Sequence, residues 1–370
     1  MKTIYVLIAL GILILINSYV WVRGWNAIPS SSVRTIYLSV MITGFLALLG
    51  GMIFGHLMPH GLAKFVTFFG FTYLIAFVYL MLSFLMVDVV RIVNYFVIFA
   101  PNGLATFRYW SLIVSSGIIM IALIIGNYNF NHPEVVTLNL SVEKPTQNKT
   151  LHIVAASDLH VGVSIDKKLL KKFVELINKQ NPDIVLLAGD FSDRSMIPVV
   201  LQNMDEELRA IKSKQGVYAI NGNHEHYAEK MDATAEYLKS AGIKFLRDES
   251  ILVDSSFYII GRDDKSNHKR KKLSEIVTNL DSAHPRILLD HQPYHLAEAE
   301  LNNIDLQISG HTHNGQFFPG NLFVKNMFEL GYGYLKKGKT NYYVTSGLGL
   351  WGPQYRIGTQ SEIVVINLKY

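Results

Sequence analysis

Residues 151–160 read Leu-His-Ile-Val-Ala-Ala-Ser-Asp-Leu-His. The first part, His152–Ser157, is the short apolar run of a buried strand. It stops on a carboxylate and an imidazole, Asp158 and His160. The same pattern returns downstream. Ile184–Gly189 runs into Asp190, followed by Asp193 and Arg194; Gly216–Gly222 runs into Asn223, His224 and Glu225. Arg286–Asp290 runs into His291, and Asp305–Gly310 into His311, Thr312 and His313. Ser256–Gly261 and Asn341–Ser346 are further strand-like runs, and Val135–Val142 alternates. Lys167–Lys179, Ile197–Lys212 and Lys230–Ala241 carry helical spacing. Strands alternating with helices predict an α/β fold.

In open α/β sheets, ligands bind beyond the carboxyl ends of the strands. Five strand ends bearing carboxylates, an amide and imidazoles are therefore expected to converge. Hard and borderline donors without thiolate suit Mn²⁺, Fe²⁺, Zn²⁺ or Mg²⁺, and there are more donors than one ion needs. Taken singly, each cluster reads as a turn; the ordered series does not.

That series, Asp-x-His, Gly-Asp-x-x-Asp-Arg, Gly-Asn-His-Glu, His and Gly-His-x-His, resembles the calcineurin-like metallophosphoesterase superfamily. Gly310–Gln316, with Gly347-Leu348-Gly349 and Pro353-Gln354-Tyr355-Arg356, is similar to its bacterial membrane-associated branch. The resemblance covers Val135 to the C-terminus and implies a sandwich of two mixed β-sheets flanked by helices. It implies two divalent ions, Mn²⁺ foremost, with Fe²⁺, Zn²⁺ or Mg²⁺ as alternatives. Asp158, His160 and His313 would hold one ion, Asn223, His291 and His311 the other, and Asp190 both. His224 would donate a proton to the leaving oxygen, with Asp193 as its partner and Arg194 on the phosphate; Arg356 is a further phosphate candidate. Asn314 stands where this branch has glycine, and asparagine tolerates the left-handed backbone such a turn needs. Asp290, before His291, reads either as support for the site or as a solvated turn.

The first third of the chain has a different character. Ile4–Val22, Ile36–Phe54, Phe65–Val87 and Tyr109–Ile125 contain no Asp, Glu, Lys, Arg or His. Each approaches the ~20 residues that cross ~30 Å of hydrocarbon. Residues 1–126 thus read as a four-span transmembrane domain, 127–150 as a linker and first strand, and 151–370 as the metallophosphoesterase domain. Ala47, Gly51 and Gly55 put small residues on one helix face, which lets backbones approach. Asp88 and Arg91 read as a local i,i+3 pair. Arg23, Arg34, Arg91 and Arg108 flank the spans on one side, against Lys2, Lys64 and Lys144 on the other. The positive-inside rule then puts the second half outside the cytoplasm.

Composition agrees. Of 370 residues 50% are hydrophobic and 17% charged, against about 25% in soluble domains; intrinsic disorder is excluded. The absence of cysteine excludes disulfides, zinc-thiolate sites, iron–sulfur clusters and a thiol nucleophile. A net charge of +5 does not point to nucleic acid. The basic run Lys265, Lys269, Arg270, Lys271 and Lys272 reads as a solvated loop, or as a contact for anionic head groups. The resulting expectation is a membrane-anchored hydrolase in which a metal-activated water attacks a phosphate ester or pyrophosphate. Its partners would be a phosphorylated small molecule or a lipid-linked phosphate, together with membrane lipids. The competing reading is a receptor or scaffold whose phosphatase-like domain binds without turnover.

Overall fold

The computed structural model describes residues 2–100, 103–145, 149–193, 195–227 and 231–370. The chain divides into two compact units, Met1–Ile125 and Gly126–Tyr370. The first is built from α1 (Lys2–Ala27), α2 (Ser31–Phe54), α3 (His60–Val97) and α4 (Ala105–Asn131), the last of which continues into the second. All four apolar runs are helical. Among the described residues, three helices, α2, α3 and α4, are long and apolar enough to cross a membrane. Small residues do bring α2 and α3 together: a Cβ on Gly70 would meet Leu48 Cα at 2.5 Å, and one on Gly51 would meet Thr67 Cα at 3.1 Å. The Asp88–Arg91 pair is wider than expected. Asp88 also binds Arg23 at 2.7 Å and accepts the Tyr19 hydroxyl at 2.8 Å, tying α3 to α1.

In the second unit the strands are β1 (Glu134–Ser141), β2 (Thr150–Ala156), β3 (Ile184–Leu187), β4 (Val217–Ala219), β5 (Lys244–Phe245), β6 (Glu249–Val253), β7 (Phe257–Gly261), β8 (Arg286–Leu289), β9 (Leu306–Ser309), β10 (Gly333–Lys337), β11 (Thr340–Val344) and β12 (Glu362–Lys369). They form two six-stranded sheets, ordered β1-β12-β2-β3-β4-β5 and β10-β11-β9-β8-β7-β6. Both sheets are mixed, because β12 runs antiparallel to β2, β10 to β11 and β6 to β7, while the central strands are parallel.

Alternation within each strand sorts side chains into layers. Ile153, Ala155, Ile184, Leu186 and Ile366 of the first sheet pack against Ile259, Ile287, Leu289 and Ile308 of the second. On the outer face of the first sheet, Val154, Val185 and Leu187 meet Leu170, Phe173 and Ile177 of α5 (Lys167–Lys179). Asp166 caps that helix by accepting from Leu169 N–H at 3.0 Å. The expected helix Ile197–Lys212 is instead two short ones, α6 (Ile197–Leu201) and α7 (Asp205–Arg209), separated at Asn203, whose φ is 49°. There follow α8 (Asn223–Tyr227), α9 (Met231–Ser240), α10 (Leu273–Val277), α11 (Ala297–Leu301) and α12 (Gly320–Met327). Leu273, Ile276 and Ala299 of α10 and α11 cover the second sheet's outer face over Ile260, Leu288 and Tyr342. The result is a helix–sheet–sheet–helix sandwich in which β2, β3, β4, β8 and β9 all end at the site.

Candidate metal centre

The backbone at these strand ends is unusual. Asp158, His160, Asp190, His311 and His313 all hold positive φ, between 46° and 71°. Non-glycine residues rarely adopt this conformation, and clustering of such residues marks functional sites. Asn314 is left-handed as well, with φ 49°. Two glycines make room for the carboxylates. A Cβ on Gly222 would meet Asp190 Oδ1 at 2.1 Å, and one on Gly310 would meet Asp158 Oδ2 at 2.2 Å.

The seven expected ligands come together. Asp158, His160 and His313 offer donor atoms within 4.8 Å of one another, as do Asp158, Asp190 and His291. Asp158 Oδ1 stands 3.4 Å from His313 Nε2, and His311 Nδ1 stands 2.8 Å from Asn223 Oδ1. Asp190 Oδ2 lies 3.7 Å from His160 Nε2 and 3.2 Å from His291 Nε2, one member of each expected set.

The donor chemistry fits cations. His291 Nδ1–H donates to the Ala188 carbonyl at 2.7 Å, so Nε2 faces two carboxylates and would offer its lone pair to a cation on losing its proton. That buried nitrogen has no aligned hydrogen-bond partner. His160 and His313 face each other Nε2 to Nε2 at 3.2 Å, where at most one proton fits. Burial pushes His160 down to about 3, which keeps it a neutral donor. Burial would raise Asp190, yet the nearby His291 and His160 hold it well below the usual carboxylate range.

His224 borders this cage. Its N–H donates to Asp190 Oδ1 at 2.9 Å and its ring meets the His160 ring edge-on, centroids 4.5 Å apart. One of its ring nitrogens also falls within 4.8 Å of donors on His160 and Asp190. Nδ1–H donates to the main-chain carbonyl of Asp193, whose carboxylate stands 3.8 Å away. Arg194 lies outside the described residues.

Arg356 does not meet the expectation of a phosphate contact. It is fully buried and donates to the carbonyls of His313 at 2.9 Å, Ser346 at 2.7 Å, Gly347 at 3.0 Å and Gly349 at 2.7 Å. Asp290 is a buried ion-pair partner of Arg262 and Arg270, at 3.2 and 3.1 Å. Arg270 is therefore withdrawn from the basic run. Glu225, quoted in the sequence motif without a role, accepts N–H groups from Asp190 at 3.1 Å, Ser192 at 3.0 Å and Gly222 at 2.8 Å. Gly261-Arg262-Asp263-Asp264, after β7, is a further strand end of the same pattern. Asp263 binds Asn221 and His226, and Asp264 binds Gln292.

Fold and site define a class: a two-sheet α/β sandwich with a histidine–aspartate cage of the kind that binds divalent cations. A family model described as calcineurin-like phosphoesterase matches residues 151–315. The chain is 36% identical over 265 residues to an uncharacterised metallophosphoesterase of Campylobacter jejuni, covering 70% of this chain and 69% of that one. It is 32% identical to a transmembrane protein with metallophosphoesterase domain of Danio rerio, covering 64% of this chain and 57% of that one. A metallophosphoesterase of Aquifex aeolicus is 29% identical, with 67% and 98% covered. The chain belongs to the calcineurin-like phosphoesterase family, whose members are metal-dependent phosphoric ester hydrolases.

Proposed function

We propose that the chain is a membrane-anchored phosphoesterase that hydrolyses a phosphate ester or pyrophosphate, with lipid-linked phosphates as its substrate class. Asp158, His160 and His313 would hold one divalent ion, Asn223, His291 and His311 a second, and Asp190 both. The observation that carries this is the Asp190 carboxylate standing between His160 and His291. When bound, such a pair neutralises phosphoryl oxygens and acidifies water, Mn²⁺ being the first candidate.

The chain's own groups do the rest. Hydrolysis joins a water oxygen to phosphorus, breaks the bond to the leaving oxygen and requires a proton there. His224 supplies that proton from Nε2, since Nδ1 is committed to the Asp193 carbonyl and Nε2 remains for the substrate. Asp193 fixes the ring, and Arg194 binds phosphate oxygens. Burial of Asp158, Asp190 and His291 excludes bulk water behind the reacting centre.

Anchoring supports the lipid assignment, because a bilayer-borne substrate then diffuses in two dimensions with its enzyme. The arginines flanking the spans support an extracytoplasmic catalytic unit; a reporter fused after Tyr370 tests it. The deciding experiment is a screen of the purified full chain against phosphomonoesters, phosphodiesters and lipid pyrophosphates with Mn²⁺, Mg²⁺, Fe²⁺ and Zn²⁺. Turnover of a lipid-borne ester with bound metal is expected. Metal binding without turnover of any ester would leave a binding protein in place of the enzyme.

A further inference from the structure

Residues 315–331 leave the Gly-His-x-His loop and return to it. At the start, Gly315 and Gly320 are packed so closely that a Cβ on Gly315 would meet Asn321 N at 2.2 Å. At the end, Thr312 Oγ1 donates to the Gly331 carbonyl at 2.6 Å, and the Phe328 ring meets the His311 ring at 6.2 Å. Both feet of this excursion thus stand on the metal loop. Its middle is α12, Gly-Asn-Leu-Phe-Val-Lys-Asn-Met, in which none of the residues is buried. Leu322 is 50% exposed, Phe323 66% and Met327 69%. Gln316–Phe328 contains no acidic residue and one base, Lys325. Large apolar side chains held outward beside a site mark an interaction surface.

The chain's own path indicates the partner. The root of the excursion pairs with the 354–357 loop: Ile357 N–H donates to Gln316 O at 3.3 Å and Phe318 N–H to Ile357 O at 2.8 Å. That same loop receives the last turns of the bilayer-length helix α4. Arg356 N–H donates to Gly126 O at 2.8 Å, Asn127 donates to Gln354 O at 3.0 Å, and Asn129 donates to Arg356 O at 3.1 Å. Helix α4 ends at Asn131 and β1 begins at Glu134. Only His132 and Pro133 intervene, three steps of ~3.6 Å at full extension, so β1 follows the end of α4 almost directly.

We infer that α12 is a lip seated in the surface of the phospholipid bilayer. Leu322, Phe323 and Met327 enter the acyl boundary, and Lys325 meets lipid phosphates. The inference stands apart from the proposed reaction, since it concerns where the unit rests and not what it cleaves.

The chain has no cysteine, so Phe323→Cys introduces a single thiol for an environment-sensitive fluorophore. The labelled full chain is reconstituted in phosphatidylcholine–phosphatidylglycerol vesicles carrying nitroxide-labelled lipid. Leu301→Cys, on the 81% exposed last residue of α11, is the reference. Quenching about threefold stronger at 323 than at 301 is expected for side chains ~5–10 Å into the interface. Equal quenching at the two positions overturns the lip. Met327→Cys repeats the measurement should the first variant misfold. Because quenching needs no turnover, an inactive preparation still tests the lip, and a quenched but inactive one counts against the phosphoesterase reading alone.

Discussion

The two sheets contribute unlike halves to one site. Loops of the first bring both carboxylates, Asp158 and Asp190, with His160 and Asn223. Loops of the second bring only imidazoles, His291, His311 and His313. The supports behind them carry opposite charges. In the first sheet's loops, N–H groups of Asp190, Ser192 and Gly222 converge on the buried Glu225 carboxylate. In the second sheet's loops, carbonyls of His313, Ser346, Gly347 and Gly349 converge on the buried Arg356 guanidinium. The sign of each support follows the main-chain group its loops turn inward. Burial, with Asp190 adding to it, pushes Glu225 up to about 7, and burial brings Arg356 down to about 10.

Breaking the junction of the halves should have the largest effect. Asp190→Asn removes the carboxylate shared by His160 and His291, and is expected to abolish metal content and hydrolysis together. Elemental analysis alongside an activity assay checks this; full metal content in the variant would refute the shared role. Removing one support comes next. Arg356→Met leaves four carbonyls without their donor and should cost about 1–3 kcal/mol or more, read from a melt of the full chain in detergent with metal present.

A smaller, selective loss distinguishes the rim from the cage. His224→Ala should retain both cations and lose about 10²-fold in kcat on esters with poor leaving groups. Nitrophenyl esters, whose leaving oxygen needs no proton, should suffer much less. Loss of metal would make His224 a ligand.

The smallest effect is a single proton. Burial would lower His291, but the charges of Asp190 and Asp158 outweigh it and raise the group well above its ordinary value when no cation is bound. Its contribution to stability is complete below about 6.5 and fades as pH rises through the raised value. Cation loading at neutral pH must expel that proton. Calorimetry in buffers of different ionisation heat should therefore report release of about one proton; release of none would place the proton elsewhere.

The convergence of the expected ligands was legible in the sequence because each follows an apolar strand run directly. Helix α5 was legible from spacing alone. The supports were not. Arg356 acts on carbonyls at 313 and 346–349, and Glu225 on N–H groups more than thirty residues upstream as well as at Gly222, contacts that no local period encodes. The edge strands β6 and β10 were missed because one solvated face leaves no apolar run. The central strand β12, Glu-Ile-Val-Val-Ile-Asn-Leu-Lys, was readable, but it ends away from the site and carries no polar cluster to draw attention. The break at Asn203 needed a left-handed residue that spacing does not reveal.

The left-handed backbone at five of the expected donor positions concentrates strain in one part of the fold. Each such residue is held at a cost of about 1–3 kcal/mol by the surrounding fold. The donor geometry is written into the main chain. Grafting the same seven side chains onto relaxed loops would reproduce their chemistry but not their grip.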